Sequence, residues 1–88
     1  MPRFFFHTED GVIFEDTEGL ELTGLREARI EAARGLGQMV DHMAEDLWKD
    51  GLYRMTVTDA LGVVLFVLDL SVIEPPVQSR TRKGSSRV

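Results

Sequence analysis

Asp59-Ala60-Leu61-Gly62 lies between two apolar runs, Leu52 to Thr58 and Val63 to Ile73, and Asp16-Thr17-Glu18-Gly19 breaks an earlier run in the same way. Asp-x-x-Gly suits a tight reverse turn. Its Asp bonds to the backbone ahead of it, and its Gly tolerates a left-handed backbone. One long helical stretch separates the two copies. The chain therefore reads as strand, strand, helix, strand, strand. This predicts a single-domain α+β fold of ββαββ order: an antiparallel four-stranded sheet with one long helix packed on one face.

The elements follow from periodicity. Arg3 to His7 is the first strand, Thr8 to Gly11 a turn, and Val12 to Glu15 the second strand, with Leu20 and Leu22 as a short extension past Asp16. Leu25, Ala28, Ala32, Leu36, Met39, Val40, Met43 and Leu47 recur at three- and four-residue steps, so a helix is expected from about residue 25 to about 49. Thr23 is the expected N-cap and Gly51 the expected stop. Gly35 and Gly37 fall inside the helix, where each costs about 1 kcal/mol relative to Ala. They mark either a close approach to the sheet or a kink. The third and fourth strands are Leu52 to Thr58 and Val63 to Ile73.

One helix covers one face of such a sheet. Alternation places Phe4, Phe6, Val12, Phe14, Tyr53, Met55, Val57, Val64, Phe66, Leu68 and Leu70 beneath it. The opposite face then carries Phe5, Ile13, Leu65 and Val67 among polar residues. An apolar patch with a polar rim suits an interface. The fourth strand is apolar on both sides from Val63 to Leu68, and such strands are usually covered on both sides. A homodimer through this face, or along an exposed strand edge, is expected. Arg3 or Arg54 of one copy would then meet Glu15 or Asp69 of the other.

Composition narrows the function classes. The chain has 88 residues and no cysteine, so it holds one domain and neither disulfides nor thiolate chemistry. A core this small is marginal, and an oligomer would help it. Residues 1–73 hold six Lys or Arg against fourteen Asp or Glu, a net of −8; residues 74–88 hold four against one, a net of +3. An acidic body repels nucleic acid. The expected division is a folded domain at 1–73 and a disordered basic tail at 74–88, since Pro75-Pro76 and the Ser- and Arg-rich stretch after it build no core. The opening residues lack the apolar run of a signal peptide, and no stretch reaches membrane-helix length. A soluble cytoplasmic protein without a membrane partner is expected.

Met1-Pro2-Arg3-Phe4-Phe5-Phe6-His7, Asp10-Gly11, Asp16-x-x-Gly19-x-Glu21-Leu22, Ala28-Arg29-x-x-Ala32 and Thr58-Asp59-x-x-Gly62 stand in a fixed order along residues 1 to 72. In that order and spacing the chain resembles the domain of unknown function 6894, a family of small proteins of rhizobia and related alphaproteobacteria. The resemblance implies no activity and brings no catalytic residues. The chain departs from the family pattern at Thr23-Gly24, where Pro-Asp is frequent, at Gly35 and Gly37, and in its basic tail.

Few constellations carry chemistry. Asp41, His42, Glu45 and Asp46 cluster on the expected helix. His42 and Asp46, four apart, would share a face and offer two metal ligands, whereas protein metal sites use three or four. His7 follows three Phe on a strand with no Ser or Cys nucleophile beside it. Glu9, Asp10, Glu15, Asp16, Glu18 and Glu21 crowd the first hairpin without the spacing of a calcium loop. Arg80, Arg82 and Lys83 offer a weak polyanion contact, with no aromatic residue among them for base stacking. The leading expectation is a non-enzymatic protein-interaction or regulatory module without a cofactor, acting as a homo-oligomer, with a further protein partner as a variant of this reading. The alternatives are a small ligand- or metal-binding protein or enzyme using His7 or His42 with nearby carboxylates, and a weak nucleic-acid binder acting through the tail.

Overall fold

The computed structural model describes residues 1–75. Seven elements follow one another: β1 (Arg3–Glu9), β2 (Ile13–Phe14), β3 (Leu20–Glu21), α1 (Leu25–His42), α2 (Leu47–Asp50), β4 (Leu52–Thr58) and β5 (Val64–Ser71). The strands form one antiparallel sheet in the order β2-β1-β4-β5, with β3 also beside β1. The α+β class and the antiparallel sheet agree with the sequence. The strand count does not: there are five strands among the described residues, because the expected second strand is split in two.

The split has a clear cause. Phe14 pairs with Thr8 through β2, and Leu20 pairs with Phe4 through β3. Three residues of β1 therefore face five residues of the edge, 15–19, which bulge out of the ladder. Asp16 fills the gap. Its carboxylate accepts the backbone N–H of Phe6 at 3.0 Å, a group that an edge strand would otherwise pair. It also accepts the N–H groups of Glu18 and Gly19 at 3.0 and 3.1 Å. Gly19 then returns the chain to β1 with φ +71°, so close that a Cβ there would lie 2.8 Å from Arg3 Cγ and 2.9 Å from the Phe4 carbonyl oxygen.

At Asp59 the same local pattern makes the expected hairpin. Asp59 accepts from the N–H groups of Leu61 and Val63 at 2.8 and 2.9 Å, and Gly62 takes φ +86°. The register slips by one residue just inside this hairpin. Val57 pairs with Phe66 and Thr58 with Val64, which leaves Leu65 as an extra residue on β5.

The helix is shorter than expected. α1 ends at His42, the chain turns through residues 43–46, and the four-residue α2 ends at Gly51 (φ +74°). Gly51 is thus the stop, but of a separate helix. Gly24, not Thr23, is the N-cap, and its carbonyl accepts the N–H of Ala28 at 3.1 Å. The Thr23 hydroxyl bonds instead to Glu27. That bond, after Glu27's own backbone N–H and together with Arg26, lowers the Glu27 pKa. Ala28 and Ala32 are fully buried, and a Cβ on Gly35 would touch Met55 Cε at 3.4 Å. Small residues on this stripe bring α1 down onto β4, and Gly35 belongs to that close approach. Gly37 faces open space, and the break in the helix lies further on, at Met43.

The core joins Phe4, Ala28, Ala32, Met55 and Val57, flanked by Phe6, Leu22, Leu36, Met39, Phe66 and Leu68. Three residues expected beneath the helix are exposed: Val12, Phe14 (67%) and Val64. Val12 and Phe14 lie at the β2 edge, whereas α1 packs on β4 and β5; Val64 pairs with Thr58 beyond the Leu65 bulge and so stands on the face away from α1. The tail expectation falls mainly on residues 76–88, outside the described residues.

Candidate functional site

The sheet face away from α1 is organised in rows by its register. Phe5 stands beside Thr58, His7 beside Thr56 and Val67, and Glu9 beside Arg54 and Asp69. Of the four expected interface residues, Phe5 is half-buried, while Ile13, Leu65 and Val67 are 72%, 38% and 45% exposed. The structure does not gather them into one patch. Phe5 and Ile13 lie on the β1–β2 side. Leu65 and Val67 lie on β5, and Thr56 and Thr58 of β4 stand between the two pairs. The apolar surface on the β5 side is larger than two residues, because Val63 and Val64 are also more than half exposed. The uninterrupted apolar run Val63 to Leu68 is the sequence signal for it.

Arg54 and Asp69, expected to meet a second copy, pair with each other within the chain. They form a fork within the chain, Nε to Oδ1 at 2.6 Å and Nη2 to Oδ2 at 2.9 Å. This hydrogen bonding, together with the opposite charges, raises the Arg54 pKa and lowers that of Asp69. Arg3 is likewise engaged, donating to the Glu18 carbonyl at 2.7 Å and pairing with Glu21 at 3.2 Å.

On the β1–β2 side an open groove of about 570 Å³ is lined by Phe5, His7, Ile13, Asp16, Thr58 and their neighbours. His7 is its centre, and its two ring nitrogens have different partners. Nδ1 lies 3.0 Å from the backbone N–H of Asp16, which can only donate. Nδ1 is therefore an acceptor, so Nε2 carries the proton of the neutral ring and donates it to Thr58 Oγ1 at 3.0 Å. A histidine that activates a hydroxyl must present a bare nitrogen to it. His7 presents an N–H, so this His–Thr pair is arranged to hold the bulge rather than to generate a nucleophile. Thr58 is 7% exposed, which fits that role. Burial works against the charge of Asp16. The N–H groups of Gly19, Phe6 and Glu18, with His7 nearby, outweigh it and hold the carboxyl below its ordinary value of 3.8.

The second histidine is placed differently. α1 ends at His42, so the four-residue spacing to Asp46 does not put the two on one helical face. Asp46 precedes α2 and lies 3.9 Å from Lys49. Among the described residues no three His, Asp or Glu side chains converge as metal ligands. Three acids of the first hairpin have local partners. Asp10 lies 3.4 Å from both the Val12 N–H and the Tyr53 hydroxyl, Asp16 serves the bulge, and Glu21 meets Arg3. Arg80, Arg82 and Lys83 lie outside the described residues. No described helix is long and apolar enough to cross a membrane. The His7–Asp16–Thr58 grouping went unread in the sequence, where the three residues stand far apart.

The family model described as "Domain of unknown function (DUF6894)" matches residues 3–71, which is every strand and both helices. No curated protein and no solved structure matches the chain.

Proposed function

The chain belongs to this family of unknown function, and from that premise we propose that it is a non-enzymatic protein-interaction module that works in the cytoplasm as a homo-oligomer and needs no cofactor. One observation carries the reading. Val64, Leu65 and Val67 stand 56%, 38% and 45% exposed on β5, which has β4 as its single neighbour among the described residues, and Val63 just before it is 54% exposed. Covering apolar surface is worth about 25 cal/mol per Å². The polar groups of the groove already serve one another, which weighs toward binding through apolar surface and against chemistry.

Energy transfer between donor-labelled and acceptor-labelled copies of the full chain tests this. Transfer is expected to rise through the micromolar range and to be lost when Leu65→Glu and Val67→Glu are combined. No transfer at high micromolar concentration overturns the reading.

A further inference from the structure

The two bonds of the His7 ring respond differently to a proton. Nε2–H donates to Thr58 Oγ1 at 3.0 Å, and that bond serves a neutral and a charged ring alike. Nδ1 accepts the Asp16 N–H at 3.0 Å, which only a bare nitrogen can do. A proton on Nδ1 sets two N–H groups head to head, so the bond to Asp16 cannot outlast it. Imidazole is the side chain that changes charge between about pH 5 and 8. Among the described residues, the charged groups around the ring are mostly carboxylates. Glu15, Asp16 and Asp59 line the groove with it. Glu9 stands two residues on along the same face of β1, and its cross-strand neighbour Arg54 is taken by Asp69. Arg3, four residues back on that face, is held by Glu18 and Glu21. A charged ring therefore sits among opposite charges and is not an isolated cation.

We propose that His7 is a proton-operated clasp on residues 15–19: proton uptake at Nδ1 ejects the Asp16 N–H and loosens the bulge over Phe5. What the bulge covers gives the clasp its consequence. Gly19 closes the bulge and lies against the Phe5 ring so closely that a Cβ there would come 2.9 Å from Cε2. Phe5 is half-buried and lines the groove. The Asp16 carboxyl, held below its ordinary value of 3.8, stays charged while the ring titrates and keeps its bonds to Phe6, Glu18 and Gly19. The tie to His7 is what is lost. The Phe6 N–H and the Arg3 side chain are then left to hold the bulge to β1. The contribution of the clasp is present while the ring is neutral and is lost as the pH falls and the ring charges. The clasp acts on the edge away from β5 and is independent of self-association.

NMR of the full chain from about pH 7.5 to about pH 5 tests the clasp. At neutral pH the His7 ring is expected to show a bare Nδ1 and a protonated Nε2. As the ring takes up its second proton, protection of the Asp16 amide should fall by at least about fivefold, after correction for the intrinsic pH dependence of exchange. Contacts between the Phe5 ring and Gly19 should weaken in step. His42 titrates in the same spectra and serves as the control. In His7→Asn a side-chain carbonyl takes the place of Nδ1 and does not titrate, so the Asp16 amide should keep its protection across the range. The parent's titration decides by itself where that variant unfolds. A proton found on Nδ1 at neutral pH overturns the clasp, as does a ring that stays neutral down to about pH 5. So does an Asp16 amide whose protection stays level while the ring charges, or one that loses it equally in His7→Asn.

Discussion

The backbone N–H of Asp16 points at Nδ1 of His7 and donates to it at 3.0 Å. This bond ties the bulge of the edge strand to the strand it interrupts, and it fixes which imidazole nitrogen carries the proton. The His7 Nε2–H donates to Thr58 Oγ1, so one ring links the edge to β1 and β1 to β4.

Replacing His7 by Phe removes the acceptor for Asp16 N–H and the donor to Thr58. The loss of two hydrogen bonds, one of them to a buried hydroxyl, should cost about 1–3 kcal/mol. Urea denaturation measures it. Hydrogen exchange at the Asp16 amide should quicken at the same time. An unchanged midpoint and an unchanged exchange rate would show that the ring is a bystander.

Asp16 makes a second, pH-dependent contribution. Its folded-state pKa is depressed, so its stabilisation is present above the unfolded value and is lost as pH falls through the folded one. Asp16→Asn should therefore be less stable than the parent at neutral pH by about 1–3 kcal/mol. The gap should close as pH drops below about 3.8. Denaturation curves at stepped pH give the comparison, and a gap constant across that window would contradict it.

Two glycines should respond with opposite signs. Gly19→Ala forces a Cβ into the Phe4 carbonyl and into a left-handed backbone, so it should destabilise by more than about 1 kcal/mol. Gly37 is exposed on α1 with nothing near its missing Cβ, so Gly37→Ala should stabilise by up to about 1 kcal/mol. Thermal melts of both variants check the pair. Equal shifts would mean that the bulge tolerates a side chain.

Much of the fold was legible because its signals are local. The Asp59 turn, the Gly51 stop and the apolar stripe of α1 each depend on neighbours within a few residues. The bulge was not legible. Asp16-x-x-Gly19 shares with Asp59-x-x-Gly62 the bond from the Asp carboxylate to the N–H two residues on, but its position is decided by Phe6 and His7, which lie on a different strand. The break after His42 was hidden because Met43 and Leu47 keep the apolar rhythm across it, with Leu47 buried from α2. Alternation assigned Val12 and Phe14 to the helix side but said nothing of which strands α1 would reach. The candidate interface was legible as a set of residues and not as a shape, since only the strand order places β4 between Phe5 and Val67.

Self-association through the exposed β5 side is what we propose for this chain. Sedimentation equilibrium of the full chain, from low to high micromolar, tests it most directly. A mass rising to twice the 9.9 kDa of one chain is expected, with a return to the single mass when Leu65 and Val67 are both replaced by Glu. A single-chain mass across the whole range, with a melting temperature untouched by those substitutions, would contradict it.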